Sequence, residues 1–118
     1  MNQKDITQEA KEAFRLAKQL LKRIPPNKRE EGLMFAIDSA DGLFDHNGHI
    51  DDVKVACQSM VAFERLKQGK TELTLVKCCI YSAVAAAGYI KASRWGHAEA
   101  ATKNAVKMLE KINAPREN

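Results

Sequence analysis

Between Leu73 and Ile90 the chain reads LTLVKCCIYSAVAAAGYI, and Lys77 is the only charge before Lys91. A helix of that composition has no solvated side, so other elements must cover it on several faces. Thr71 offers a hydroxyl to the free N–H groups of a first turn, and Gly69 suits the end of a preceding helix. The spacing therefore predicts a central buried helix over 71–90. Its length approaches that of a bilayer span. Lys77, Thr74, Ser82 and the paired cysteines dilute the run, however, and the flanking segments carry apolar stripes that need such a partner, so the expectation is a helix sheathed in water with no membrane contact. Ala83, Ala85, Ala86, Ala87 and Gly88 favour close approach of neighbouring backbones, and Gly88 marks a possible bend. The small side chains bury little area, so Ile80, Tyr81, Val84 and Ile90 supply much of the burial at ~25 cal/mol per Å² of apolar surface.

A chain of 118 residues makes one domain, large enough to fold without a metal or a disulfide. The three cysteines are an odd number. Cys78 and Cys79, adjacent on a helix, point about 100° apart and are poorly placed to pair with each other. With the opening MNQKDITQEA lacking an apolar signal region, this usage leads us to expect a reducing cytoplasm.

Helical periodicity extends along the rest of the chain. Ile6, Ala10, Ala13, Phe14, Ala17, Leu20, Leu21 and Ile24 recur at three- and four-residue steps, predicting a helix over 5–24 with Asp5 as its cap. Pro25 and Pro26 stop it. Lys11, Arg15, Lys18 and Lys22 align on its outer face. A second helix is expected over 28–44, capped by Asn27, with Leu33, Ile37, Ala40 and Phe44 inward. A third is expected over 51–68, burying Val53, Ala56, Cys57, Met60, Phe63 and Leu66. The last, over 93–112, buries Trp95, Ala98, Ala101, Ala105, Met108, Leu109 and Ile112. No alternation of apolar and polar residues reads as a strand. The expected fold is an all-α, single-domain bundle of about five helices around the central small-residue-rich helix.

Charge is unevenly distributed. From Glu30 to Val53 there are seven acidic residues and no Lys or Arg, so the remainder holds 19 basic residues against eight acidic ones. Glu31, Asp38, Asp41 and Asp45 fall on one helical face, with Asp51 and Asp52 following the loop. Like charges at that spacing repel by a few tenths of a kcal/mol per close pair. Asp41 and Asp45 also sit near the negative end of the helix dipole. Helix stability does not account for them, whereas attraction of a basic protein partner does.

Other chemistries fit less well. Aligning Gly48 with the turn glycine of a calcium loop puts Leu43 at the first ligand position and Lys54 where a bidentate Glu is required, so the calcium reading fails. His46 and His49 beside Asp45, Asp51 and Asp52 read as a solvated turn, and no metal or other cofactor is expected. Cys57, Cys78 and Cys79 fall on apolar faces, where thiols are inert. His97 reads as a helix-boundary residue, and no glycine-rich phosphate loop occurs, so no enzymatic activity is expected. Nucleic acid binding is the alternative, drawing on Lys22, Arg23, Lys28 and Arg29 at the first turn and Lys103, Lys107 and Lys111 along the last helix.

From about Phe35 to Glu110 the order of features resembles the alanine-rich helical domains of bacterial immunity proteins. The similar pieces are AIDSADGLF, DDVKVACQSMVAFERLKQGKTEL with its glycine turn and capped restart, the run SAVAAAG, and WGHAEAATKNAVKMLE. The chain departs from that pattern in having fewer alanines, more lysines, and bulky Ile80 and Tyr81 where small residues are expected. The resemblance implies a cytoplasmic antidote that binds and blocks a toxin without chemistry of its own. It transfers no binding residues; the acidic face rests on the charge argument alone.

Overall fold

A computed structural model describes residues 2–44, 52–69 and 71–113. Among the described residues there are five α-helices and no strand: α1 (Gln3–Gln19), α2 (Glu31–Phe44), α3 (Asp52–Leu66), α4 (Glu72–Lys91) and α5 (Trp95–Asn113). Every residue of α4 from Val76 to Gly88 is buried, because the other four helices all pack against it, α3 and α5 most extensively. Helix α4 is long and apolar enough to cross a bilayer, yet most of its apolar surface is spent on these neighbours.

Local chemistry sets both ends of α4. Thr71 is extended and its Oγ1 accepts from the backbone N–H of Thr74 at 3.2 Å, while its carbonyl takes the N–H of Leu75 at 3.1 Å. Gly69 is needed there for room: a Cβ on it would lie 2.6 Å from Thr74 Oγ1. At the other end the helix continues without interruption through Gly88 to Lys91. Ser93 takes the left-handed conformation, φ 59°, usually left to glycine. Its N–H donates to the Ile90 carbonyl and that of Arg94 to the Tyr89 carbonyl, the paired bonds of a Schellman closure.

Asn2, not Asp5, caps α1, accepting from the N–H of Asp5 at 2.8 Å. The prolines end this segment as expected, with Leu20–Arg23 tightened into a 3₁₀ turn and Ile24 extended ahead of Pro25. A second 3₁₀ turn, Pro26–Lys28, absorbs Asn27, so that residue caps nothing and α2 begins at Glu31. Arg29 Nε ties this connection down by donating to the Ile24 carbonyl at 2.9 Å.

Packing follows the predicted stripes with corrections in α3 and α5; Leu21, Leu66 and Ile90 are half-buried, and the side chains of Phe44 and Val53 lie outside those described. In α3 the buried residues are Val55, Ala56, Ser59 and Phe63, so the helix is rotated from expectation, Cys57 is exposed and Met60 only half-buried. In α5 the terminal Trp95 and Ile112 are half-buried, with Ala98, Ala101, Thr102, Ala105, Met108 and Leu109 inside. Where α1, α4 and α5 meet, Ala10, Ala85, Ala86 and Ala101 form an apolar cluster in which the absence of bulk permits close approach. Lys77 is nearly enclosed, and its Nζ reaches Glu30 Oε1 at 2.7 Å.

Two substitutions test this account by chemical denaturation. Ile80 is fully buried, and Ile80→Ala should lower the unfolding free energy by about 2–5 kcal/mol. Ser93→Gly should raise it by about 1 kcal/mol, because glycine occupies the left-handed region without the Cβ penalty.

Candidate functional site

The acidic residues of α2 divide by their position around the helix. Leu33, Ala36, Ile37 and Ala40 face the core, which leaves Glu31 and Asp38 exposed at the outer crest. Asp41 lies on the flank toward α1, where both carboxylate oxygens accept from Lys18 Nζ at 2.9 Å. It is therefore half-buried and neutralised within the molecule. Glu30, just ahead of α2, is likewise held by Lys77. Asp45 and Asp51 lie outside the described residues, as do His46 and His49; Asp52 opens α3, but its side chain is not described.

Beside the crest stands a residue that the sequence reading passed over. Phe35 is 60% exposed, four residues from Glu31 and three from Asp38, on the flank toward α3. Its phenyl group rims a cleft of about 190 Å³ between α2 and α3, with Gly32 and Ala36 on one wall, Val55, Gln58, Ser59 and Ala62 on the other, and Tyr81 of α4 lining it from below. Gly32, Ala36, Ser59 and Ala62 are too small to fill the space between the two helices, which leaves the cleft open above Tyr81. A second depression, about 360 Å³, continues along the outside of α3 between Cys57, Val61 and Arg65, sharing Gln58 and Ala62 with the first. Val61 is 51% exposed, and it and Phe35 are the large apolar side chains left exposed among the described residues. The available signal for Phe35 was its offset from the Leu33, Ile37 and Ala40 stripe.

The basic residues are dispersed. Arg23 pairs with Glu72 on α4 at 3.2 Å, Arg29 folds back onto Ile24, and Lys103 pairs with Glu99 at 3.2 Å. Arg15 Nε donates to Glu12 at 2.9 Å. A shallow cleft of about 400 Å³ does lie among Arg15, Lys18, Leu21, Lys22 and Arg29, but Arg15 and Lys18 there already hold carboxylates. The alternative nucleic-acid surface is thus partly neutralised by the chain itself.

The buried thiols are unsuited to nucleophilic work. Cys78 Sγ points at the Phe63 carbonyl and Cys79 Sγ at the Ala105 carbonyl, at 3.9 and 3.7 Å. Burial pushes their pKa values up to about 11 and about 12. Burial, aided by Glu30, also raises the Tyr81 phenol and keeps it neutral. His97 stacks obliquely on Tyr89, ring centroids 5.1 Å apart. Among the described residues no three His, Cys, Asp or Glu side chains gather where they could hold a metal. What the arrangement offers is an apolar cleft beside an exposed aromatic ring and two outward carboxylates, a surface for contact. Against models of protein families, curated proteins and solved structures, the chain finds no significant match.

The thiols give a direct check. In mildly alkaline buffer Cys57 should alkylate promptly, with Cys78 and Cys79 reacting only once denaturant is added. Unfolded thiols titrate near 9 and these two well above it, so their contribution to stability is fully present below pH 9 and lost as pH rises toward 11 and 12. A denaturation series across that range should show the midpoint falling in alkali.

Proposed function

We propose that this chain is a protein-binding module that acts by contact, using the outer side of α2. The carrying observation is Phe35: a largely exposed aromatic ring at the rim of an apolar cleft, with Glu31 and Asp38 beside it on the same helix. Exposed aromatics with a pocket at hand are the usual anchors of protein interfaces. Nearby carboxylates speed and orient the approach of a basic partner. Asp41 falls out of the contact set because Lys18 already holds it. Asp45, Asp51 and Asp52 continue the acidic face by sequence.

The resemblance to bacterial immunity proteins narrows the partner to a toxin with a basic surface, and the host compartment to the cytoplasm. Under that reading the chain neutralises its target by covering it, and no cofactor or catalytic residue is required.

The test is co-expression with the products of the reading frames flanking the gene. One of them should co-purify with the chain, more weakly at higher salt. The paired reversal Glu31→Lys and Asp38→Lys should weaken the complex about 10- to 100-fold and flatten its salt dependence. Phe35→Ala should weaken it by about tenfold or more with little change in salt dependence. Failure of every flanking product to bind, or binding indifferent to all three changes, would overturn the proposal.

A further inference from the structure

We infer that, when no other partner is present, the α2–α3 face is covered by a second copy of this chain, related by a twofold axis that places Phe35 of each protomer in the other's cleft. The inference rests on the reading of this face as a protein-contact surface and names one occupant for it.

A twofold interface needs a patch complementary to itself, with knob and hole on the same surface. This face carries both. Phe35 is the knob, and the cleft above Tyr81 is the hole. Its volume of about 190 Å³ suits a phenyl ring, since an apolar cavity of about 150 Å³ already accepts benzene. Both large exposed apolar side chains among the described residues, Phe35 and Val61, would be covered in one event.

Charge favours the same occupant. The α2 wall is acidic at Glu31 and Asp38, whereas the outer side of α3 carries Arg65 beside Val61. A basic partner can engage Glu31 and Asp38 from the α2 side, but only an occupant that also carries carboxylates finds a complement in Arg65, which lies beyond the cleft on the outer side of α3. A second copy turned about a twofold axis sets α2 of each protomer over α3 of the other, so carboxylates meet Arg65 twice. Gly32 adds to this. A Cβ on it would meet nothing within 4 Å, so neither crowding nor helix preference requires glycine there, and the space it leaves belongs to the cleft. Such a contact covers a modest area and gives a weak, concentration-dependent dimer. A foreign partner at Glu31, Phe35 and Asp38 would compete with the second copy, making self-association and partner binding mutually exclusive.

Sedimentation velocity of the full chain over the micromolar to millimolar range tests this. The wild type should pass from 13.1 kDa toward twice that mass. Phe35→Asp and Gly32→Leu, one removing the knob and one filling the hole, should each remain monomeric with an unchanged helical spectrum, and Phe35→Tyr should still dimerise. Arg65→Glu should weaken the dimer about tenfold, and adding Glu31→Arg and Asp38→Arg to it should restore the wild-type constant. A wild type that stays monomeric throughout overturns the inference, as does a dimer indifferent to Phe35→Asp and Gly32→Leu or one that the charge exchange fails to restore. A monomeric wild type whose flanking-frame partner still responds to Glu31 and Asp38 reversal leaves the proposed function standing. Dimerisation with no such partner separates the two in the other direction.

Discussion

Burying α4 from Val76 to Gly88 on all sides requires four other helices to reach one axis, and that is possible only where side chains are small. Ala85 and Ala86 let α1 and α5 close in at Ala10 and Ala101, while Ile80, Val84 and Val76 fill the wider layers. The larger aliphatic residues contribute about 1.5–3 kcal/mol each by burial, and the alanines contribute mainly by letting those contacts form. Lys77 fits this scheme because its aliphatic stem lies within the packing and its ammonium reaches Glu30 at the surface edge. Glu30 therefore serves the core; removing it would leave a nearly enclosed cation without its carboxylate, the costly half of breaking such a pair.

The extent to which the sequence disclosed this fold follows from how local each feature is. Thr71 announced α4 because its capping bond is made within three residues, and the prolines ended the first helical segment through their own rings. The start of α2 escaped because Asn27 has the chemistry of a cap, yet Pro25 and Pro26 confine it to a 3₁₀ turn and Arg29 fastens that turn to Ile24. Ser93 gave no sign of a left-handed turn; the two backbone bonds that close α4 impose it. The rotation of α3 was hidden for a similar reason. Cys57 and Met60 are the more apolar choices, and the fit against α4 instead turns Ser59 inward.

Charge was the least legible from spacing alone. The acidic segment and the basic remainder attract within the molecule, and among the described residues Asp41 with Lys18 and Glu30 with Lys77 join them. A count of carboxylates on one helical face therefore overstates what is presented outward. The angular position of each decides its fate: Asp41 turns toward α1 and is consumed, whereas Glu31 and Asp38 stay on the crest. Phe35 went unnoticed because an aromatic residue inside an apolar-rich segment reads as core, and only the placement of α3 determines whether it is covered.

The seam between α2 and α3 poses the remaining question. Both helices pack on α4, and four facing residues of the seam, Gly32, Ala36, Ser59 and Ala62, are too small to fill the space above Tyr81. Larger apolar side chains at these positions would bury more area. An alanine at 32 alone would favour the helix by about 1 kcal/mol with nothing in its way. A sequence shaped only for stability would not keep glycine at 32, since a Cβ there meets no neighbour. The packed alanines of α4 sit where helices approach closely, whereas the equally small residues of this seam leave a cleft unfilled beside the exposed Phe35, which marks it as the part of the molecule that the core does not explain.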